Sequence, residues 1–209
     1  MKLFEKQHIN EFDKIHRINL MNSLSGYKSA NLLGTVSNEG EENVAVFSSI
    51  VHLGSNPPLL GFILRPTTVP RNTYENIINT GYYTVNHISK EFTQDAHHTS
   101  AKYDKSISEF NMTALNPEYK NDFHAPFVKE SPVQIAMKFI EEHYIKANDT
   151  LLVVGEIQFF YVKEEMYNAQ DGFLDLAKGN VAAINGLDAY AIPESNKRYE
   201  YQRPKKTIS

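Results

Sequence analysis

Residues 29–51 read SANLLGTVSNEGEENVAVFSSIV. Two apolar runs in this stretch, Ser29–Ser37 and Asn43–Val51, flank the turn-rich segment Asn38–Glu42. Apolar and β-branched residues on both sides of a short turn that contains Asn and Gly are typical of a β-hairpin. The stretch therefore predicts two antiparallel strands, and it indicates the class of the whole fold.

Four later segments also have the character of strands. They are Leu59–Leu64, Tyr82–Ile88, Val133–Ile140 and Leu151–Val162. The third shows period two, because Val133, Ile135 and Met137 alternate with other residues. Helices do not alternate regularly with these strands, so we predict a mainly β fold. A closed antiparallel barrel is the most economical arrangement, since closure removes the strand edges that invite aggregation.

The chain is long enough for one ordinary domain, and we predict a single domain over 1–209. A helical extension, 1–28, is expected at its start, because apolar residues recur every third position from Ile9 to Ile18. The polar segment 89–131 predicts a helical or irregular insertion, which we expect to cover one mouth of the barrel. Residues 193–209 are expected to form a solvated tail.

Composition narrows the function classes. The 25 acidic and 21 basic side chains give a net charge of -4, which argues against binding to nucleic acid or to an anionic membrane. The sequence has no cysteine, so disulfides, thiolate metal sites and a cysteine nucleophile are excluded. No signal-peptide pattern and no long apolar stretch occurs, so we expect a cytoplasmic protein.

The run RPTTVPRNT, residues 65–73, is the strongest candidate site. It contains two arginines and three threonines immediately before a predicted helix, Thr73–Gly81. Guanidinium groups and hydroxyls donate to phosphate oxygens, and the N-terminus of a helix favours an anion. The run therefore predicts a phosphate site, although a helix cap with two surface arginines is also compatible with it.

The strand Asn43–Ser49 is a second candidate. Small and hydroxylated residues on an otherwise apolar strand allow a flat ring to approach the backbone, whose N–H and C=O groups can pair with a pyrimidine-like edge. A half-buried strand with no ligand explains the same residues.

Familiar catalytic patterns are missing from the sequence, which contains no nucleotide-binding glycine motif, nucleophile elbow or zinc-protease motif. We therefore expect a bound cofactor to carry the chemistry, with no catalytic side chain. His97 and His98 are adjacent and diverge, so no metal site is predicted. His143 is a candidate for lining a pocket, and a structural or surface histidine is the alternative.

The order of several segments resembles that of the flavin reductase-like, FMN-binding split-barrel family, which includes flavoredoxin. The resemblance covers about Ser29 to Tyr190 and rests on these segments: LGTVS at 33–37, NVAVFSS at 43–49, NPPLL at 56–60, Thr73-x-x-Asn76 to Gly81, Val85-Asn86, DTLLVVGEI at 149–157, DGFLDL at 171–176 and Ala189-Tyr190.

The resemblance implies a Greek-key antiparallel split barrel that forms a homodimer and binds FMN. It implies hydride transfer from NADH or NADPH to flavin N5. The implied cofactor-binding residues are Asn43, Val46, Phe47, Ser48 and Ser49 for the ring, and Arg65, Pro66, Thr67, Thr68, Arg71, Asn72 and Thr73 for the phosphate. His143 and Phe173 are implied near the ring.

Two departures from the family pattern keep other functions open. One is the long insertion 89–131, which is expected to be able to close the pocket to a nicotinamide ring. The other concerns the end of the domain. The segment AINGLDAY, 183–190, lacks the glycine- and histidine-rich ending of many nicotinamide-using members. A flavoredoxin-like FMN electron carrier, which exchanges electrons with a redox partner protein, is therefore a second reading. A flavin-free binding module for haem or a phosphorylated vitamer is a third.

Overall fold

The computed structural model describes residues 1–66 and 71–204, and strands dominate it. Twelve strands are present in these residues: β1 Lys28–Ser29, β2 Asn31–Val36, β3 Glu42–Phe47, β4 Val51–Ser55, β5 Pro58–Leu64, β6 Tyr82–His87, β7 Pro117–Glu118, β8 Phe127–Val128, β9 Val133–Ile145, β10 Thr150–Val162, β11 Ala183–Asn185 and β12 Ala189–Ala191. The α-helices are α1 Lys6–Glu11, α2 Lys14–Leu24, α3 Asn72–Thr80 and α4 Thr93–His98. Short 3-10 helices occur at Lys90–Phe92, Glu109–Met112 and Glu164–Met166.

Seven of the strands form one sheet in the order β3-β2-β6-β9-β10-β5-β4. All neighbours in it are antiparallel. The edge strands β3 and β4 are joined directly, from Phe47 to Val51. A flat sheet would hold its outer strands about 29 Å apart, whereas four Cα steps reach about 15 Å at most. The sheet must therefore curl until its two edge strands lie within about 15 Å of each other where this segment connects them.

Ser49 lies in the segment that connects the two edge strands. Its Oγ accepts a hydrogen bond from the Ile63 N–H and donates one to the Ile63 carbonyl, both at 3.1 Å. The connecting segment is thereby attached to β5, two strands after it in the chain. The prediction of a mainly β antiparallel barrel is confirmed.

The barrel interior is filled by side chains from alternate positions of its strands. Leu33 of β2, Val85 of β6 and Met137 of β9 are almost fully buried there, together with Phe62 of β5 and Ile77 of α3. Phe62 contacts the Tyr83 ring edge-on, with centroids 5.8 Å apart. The interior is thus a packed apolar core.

The insertion, 89–131, lies against the outer face of the sheet rather than over a barrel mouth. Successive side chains of β2 and β3 point to opposite faces of the sheet. Those that do not face the interior include Leu32 and Val44, which Phe92 and Phe110 of the insertion cover on the outer face. The Oε2 of Glu109 also accepts from the Val44 N–H at 3.1 Å. The insertion packs here because β2 and β3 are apolar on both faces and need cover on each.

The N-terminal extension contains two helices instead of the single one expected. Asp13 separates them, because its carboxylate accepts from the N–H groups of Ile15 at 2.9 Å and His16 at 3.0 Å and so caps α2. Neither α1 nor α2 contains a buried residue. In the described part of the chain, the length and apolarity needed to cross a membrane are not reached by any helix.

Candidate functional site

Helix α3 follows the candidate run and begins without a side-chain cap. Its N-cap residue, Arg71, has extended backbone geometry and forms no capping hydrogen bond. The helix ends at Gly81, which has a φ of 78° and whose N–H donates to the Ile77 carbonyl at 2.8 Å. Within the part of the chain that the structure describes, no side chain caps the first-turn N–H groups of α3, so these groups and the helix dipole can interact with an anion.

A buried network of polar side chains fixes the first turn of α3 to the barrel. The Nδ2 of Asn43 donates to the Thr73 Oγ1 at 2.9 Å and to the Thr35 Oγ1 at 3.4 Å. Asn76 donates to the same Thr35 Oγ1 at 3.1 Å. All four residues are buried. Two predicted site residues, Asn43 and Thr73, are thus brought into contact, and the amide nitrogen of Asn43 is engaged in holding the helix.

The two predicted arginines lie at the two ends of the segment that enters α3. Arg65 is exposed and follows β5 directly, whereas Arg71 is half-buried. The Arg71 Nε is buried and has no hydrogen-bond partner among the described residues. A buried guanidinium donor with no partner in the described ranges, next to a helix N-terminus whose N-cap residue makes no capping bond, is a donor set for an anion.

The remaining residues of the run are less informative. Pro66 and Asn72 are half-buried on either side of it. The predictions for Thr67 and Thr68 lie outside the described residues.

Strand β3, the candidate for binding the ring, is an edge strand of the seven-stranded sheet, and β2 is its hydrogen-bonded neighbour. The Val44 N–H points away from β2, since it donates to Glu109. Because backbone groups alternate along an antiparallel strand, the N–H and C=O of Val46 also point away from β2. The outer edge of β3 therefore presents backbone donors and acceptors beside α3.

Side chains at the end of β3 have separate roles. Val46 packs against the outer core, whereas Phe47 faces the barrel interior and contacts Phe62 with centroids 5.2 Å apart. Ser48 is half-buried, and Ser49 is the residue that joins β3 to β5.

His143 lies on the exposed outer half of β9. Its Nε2 is 3.1 Å from Glu141 Oε1 and its side chain is 58% exposed, so the imidazole is turned to solvent. Strand pairing places it opposite Leu152, which in turn pairs with Ile63. His143 is therefore separated from Ser49 by β10 and β5.

A contact from α3 reaches the same part of β9. The Tyr74 hydroxyl donates to the Glu142 carboxylate at 2.8 Å. Partial burial, and then this carboxylate, raise the pKa of Tyr74 to about 12, so the hydroxyl keeps its proton and remains a donor at neutral pH. The helix is thus attached to β9 as well as to β2 and β3.

Phe173 lies in a different region, on the loop after β10. The Arg198 guanidinium stacks on its ring at 4.1 Å from the centroid. Together they line an open cavity of about 540 Å³. No residue of α3 or β3 is among the described residues that line this cavity.

Sequence reasoning did not identify Thr35 as part of the site or Tyr74 and Glu142 as a contact. Thr35 stands in the LGTVS segment and Asn76 three residues after Thr73, on one face of the helix. The spacing of Thr73 and Asn76 was a detectable signal, although their respective partners, Asn43 and Thr35, are remote in sequence.

Comparison with known proteins agrees with this architecture. Residues 24–179 match the flavin reductase like domain. A split-barrel protein from Shewanella frigidimarina NCIMB 400, provisionally assigned as a flavin reductase, is 46% identical, with a TM-score of 0.93 over 97% of this chain and 100% of that chain.

Two more distant structures share the fold. Nitrilotriacetate monooxygenase component B from Bacillus cereus is 20% identical, with a TM-score of 0.79 over 96% of this chain and 98% of that chain. Flavoredoxin from Desulfovibrio vulgaris (Miyazaki F) is 23% identical, with a TM-score of 0.68 over 88% of this chain and 92% of that chain. Since the domain match extends over most of the sequence, the chain belongs to the flavin reductase-like family of split-barrel proteins.

Proposed function

We propose that this protein binds FMN and acts as an NAD(P)H-dependent flavin oxidoreductase in the cytoplasm. The observation that carries the cofactor assignment is the buried Nε of Arg71, which has no hydrogen-bond partner among residues 1–66 and 71–204 and lies at the start of α3, where the N-cap residue makes no side-chain capping bond. Family membership supports a flavin-related oxidoreductase, and this donor set supports the phosphorylated form of the flavin.

The phosphate would be held by Arg71, Arg65 and the first-turn N–H groups of α3. Each guanidinium group presents a planar fork of donors that matches phosphate oxygens. Pro66, Asn72 and Thr73 would shape the same site, and Thr67 and Thr68 are proposed as further hydroxyl donors. The buried Asn43–Thr73 hydrogen bond would keep the helix N-terminus in place when the anion binds.

The ring would lie along the end of β3. Its pyrimidine edge would pair with the outward N–H and C=O of Val46, and Ser48 and Ser49 would leave room for the flat ring beside the backbone. When bound, the isoalloxazine supplies the redox chemistry through N5. The roles of Phe47 and His143 beside the ring remain predictions, because Phe47 packs inward and His143 faces solvent.

Anaerobic reduction tests this function. We expect NADH or NADPH to bleach the visible flavin absorbance of the FMN-loaded protein, with one of the two preferred. Retention of the oxidised spectrum with both nicotinamides would reject the oxidoreductase assignment, while dithionite would show that the bound flavin is still reducible.

A second candidate is an electron carrier that holds FMN tightly and reacts with a redox partner protein. The segment 183–190 favours it, because Ala183–Asn185 is a strand paired with β1 and β12 and offers neither histidine nor a glycine-rich loop to a nicotinamide. The carrier retains one FMN per chain through gel filtration and turns over negligibly with nicotinamides. Free exchange of FMN would reject it, and purified protein with a Soret band or no visible spectrum would favour the flavin-free module.

A further inference from the structure

The cavity of about 540 Å³ lies between the loop that follows β10 and the C-terminal tail. The loop lines it with side chains from Met166 to Lys178, and the tail lines it with Asn196 and Arg198. Binding sites for small molecules commonly occupy about 300 to 1,000 Å³. The cavity is therefore large enough for a small organic ligand.

The loop wall of the cavity is held in shape by its own hydrogen bonds. The Gly172 N–H donates to the Asn168 carbonyl at 2.8 Å, and the Asn168 N–H donates to the Phe173 carbonyl at 2.9 Å. The Asp171 carboxylate accepts from the Phe173 N–H at 3.1 Å. Met166, at the start of the loop, is buried in the barrel core. A wall that is formed in advance lowers the cost of binding a ligand.

Two side chains attach the tail to this loop. The Asn196 Nδ2 donates to the Asp175 Oδ1 at 2.5 Å, and the Arg198 Nη1 donates to the Asp171 Oδ2 at 2.6 Å. The Arg198 guanidinium also lies over the Phe173 ring, with its Cζ 4.1 Å from the ring centroid. These contacts hold the guanidinium group in the wall of the cavity.

Arg198 presents a flat cationic surface to a ligand. Only its Nη1 forms a hydrogen bond within residues 1–66 and 71–204, and its side chain is 52% exposed. Guanidinium planes stack on aromatic rings, and Phe173 covers only one face of this plane. Tyr167, which is 53% exposed, adds a second aromatic side chain to the lining. The wall is therefore suited to a flat ring.

The charges of the cavity favour an anion with a single charge. Asp171 and Asp175 already accept hydrogen bonds from the loop and from the tail. The Lys178 ammonium lines the cavity and forms no ion pair with any residue that the structure describes. An ammonium binds a carboxylate through a charge-assisted hydrogen bond, whereas the two aspartates would repel a dianion.

We propose that this cavity binds a small molecule with a flat aromatic ring and one carboxylate. The ring stacks on the Arg198 guanidinium, opposite Phe173, and the carboxylate accepts from the Lys178 ammonium. The bound molecule bridges the loop and the tail.

NMR titrations of the full chain with three probes test the proposal. The first, 3-phenylpropanoate, carries both groups, whereas 3-cyclohexylpropanoate lacks the flat ring and 3-phenylpropanamide lacks the charge. We expect the first to bind at least about 10-fold more tightly than either of the others, because each of these loses one of the two contacts. Equal affinities for the three probes, or no binding by any of them, overturn the proposal.

Two single substitutions separate recognition of the ring from recognition of the charge. Arg198→Lys keeps the cation but loses the guanidinium plane, so the preference for the phenyl over the cyclohexyl probe should largely disappear. Lys178→Met should instead remove the preference for the carboxylate over the amide. Lys146→Met, at an exposed position between β9 and β10, is the matched control and should retain both preferences. Both preferences intact in Arg198→Lys or in Lys178→Met contradict the assignment.

Limited proteolysis locates the bound probe independently. Trypsin cleaves after Lys197 and Arg198 in the tail, and after Lys146 far from the cavity in sequence. Saturating 3-phenylpropanoate should slow cleavage in the tail and leave cleavage after Lys146 unchanged. Equal cleavage of the tail with and without the bound probe places the probe elsewhere and overturns the proposal. Arg65→Ala with Arg71→Ala should bind this probe as the unmodified protein does, so the cavity and the flavin proposals can fail separately.

Discussion

His87 and Asn31 occupy directly opposite positions on β6 and β2. The His87 Nδ1 and both side-chain polar atoms of Asn31 are buried and have no partner in the part of the chain that the structure describes. Burial lowers the pKa of His87 to about 4, although the residue as a whole retains some exposed surface. The imidazole is therefore neutral at neutral pH, and protonation opposes folding.

This buried histidine predicts acid destabilisation. The pKa of His87 in the folded protein lies below the ordinary value of 6.5, so the unfolded chain binds the proton more readily than the folded one. The free energy of unfolding is therefore fully retained above pH 6.5 and decreases as the pH falls towards 4. His87→Leu should reduce the loss of unfolding free energy between pH 7 and pH 4 by up to about 3 kcal/mol. Denaturant titrations at several pH values measure it. The exposed His143→Gln serves as control, and equal pH slopes for all three proteins would contradict the account.

The sequence predicts site residues that are close together in the chain, and it does not predict residues whose partners are brought close only by the fold. Arg71 and the helix after it were predicted from one continuous run. His87 and Asn31 were not, because a polar residue at the end of an apolar strand gives no signal of its partner across the sheet. Thr35 was missed for the same reason, since its donor Asn76 is 41 residues away.

At the scale of elements, α3 is the one that positions the candidate site, and three strands hold it. Asn43 of β3 contacts Thr73 in its first turn, Thr35 of β2 contacts Asn76, and Glu142 of β9 contacts Tyr74. A helix held at its N-terminus can present the same N–H groups to a phosphate without rearrangement, which reduces the cost of binding.

Thr73→Val should separate this anchoring from general helix stability. The change keeps the side-chain shape but removes the acceptor of the Asn43 amide, so we expect a loss of about 1 to 3 kcal/mol in unfolding free energy. FMN affinity should fall about 10-fold as the helix N-terminus moves. Thr80→Val, at the other end of α3, is the matched control, and it should leave FMN affinity unchanged. Equal FMN affinities for the two variants would show that the network does not position the site.

The predictable elements were those long enough to show a period. Apart from β4, the strands of the main sheet and α3 were predicted within a few residues, and Gly81 marked the end of the helix. The predicted strand Asn43–Val51 ends at Phe47 in the structure, and β4, Val51–Ser55, was missed. The outer half of β9 was not predicted, because Glu141, Glu142 and His143 are exposed and show no alternation. Strands β1, β11 and β12 were also missed, since two or three residues contain no period. The break between α1 and α2 depends on the single cap Asp13.

At the scale of the whole molecule, barrel closure follows from the direct link between two edge strands. The closed sheet has two apolar surfaces, one inside and one under the insertion. Closure was predictable, because an open sheet of this size leaves long edges. The position of the insertion 89–131 was not predictable. Its apolar residues are compatible with packing over a barrel mouth or on the outer face of the sheet, and the order of the strands is needed to decide between them.

Flavin binding provides the most direct test of the central claim, that Arg65, Arg71 and the start of α3 hold the FMN phosphate. Riboflavin, which lacks the phosphate, is the comparison ligand, and quenching of flavin fluorescence measures both affinities. We predict that the unmodified protein binds FMN at least about 100-fold more tightly than riboflavin, as expected from two charge-assisted contacts. Arg65→Ala with Arg71→Ala should remove that preference and leave riboflavin binding unchanged, whereas Arg198→Ala with Arg203→Ala in the tail should preserve it. Equal affinities of the unmodified protein for FMN and riboflavin, or an undiminished preference in the Arg65/Arg71 variant, would contradict the account.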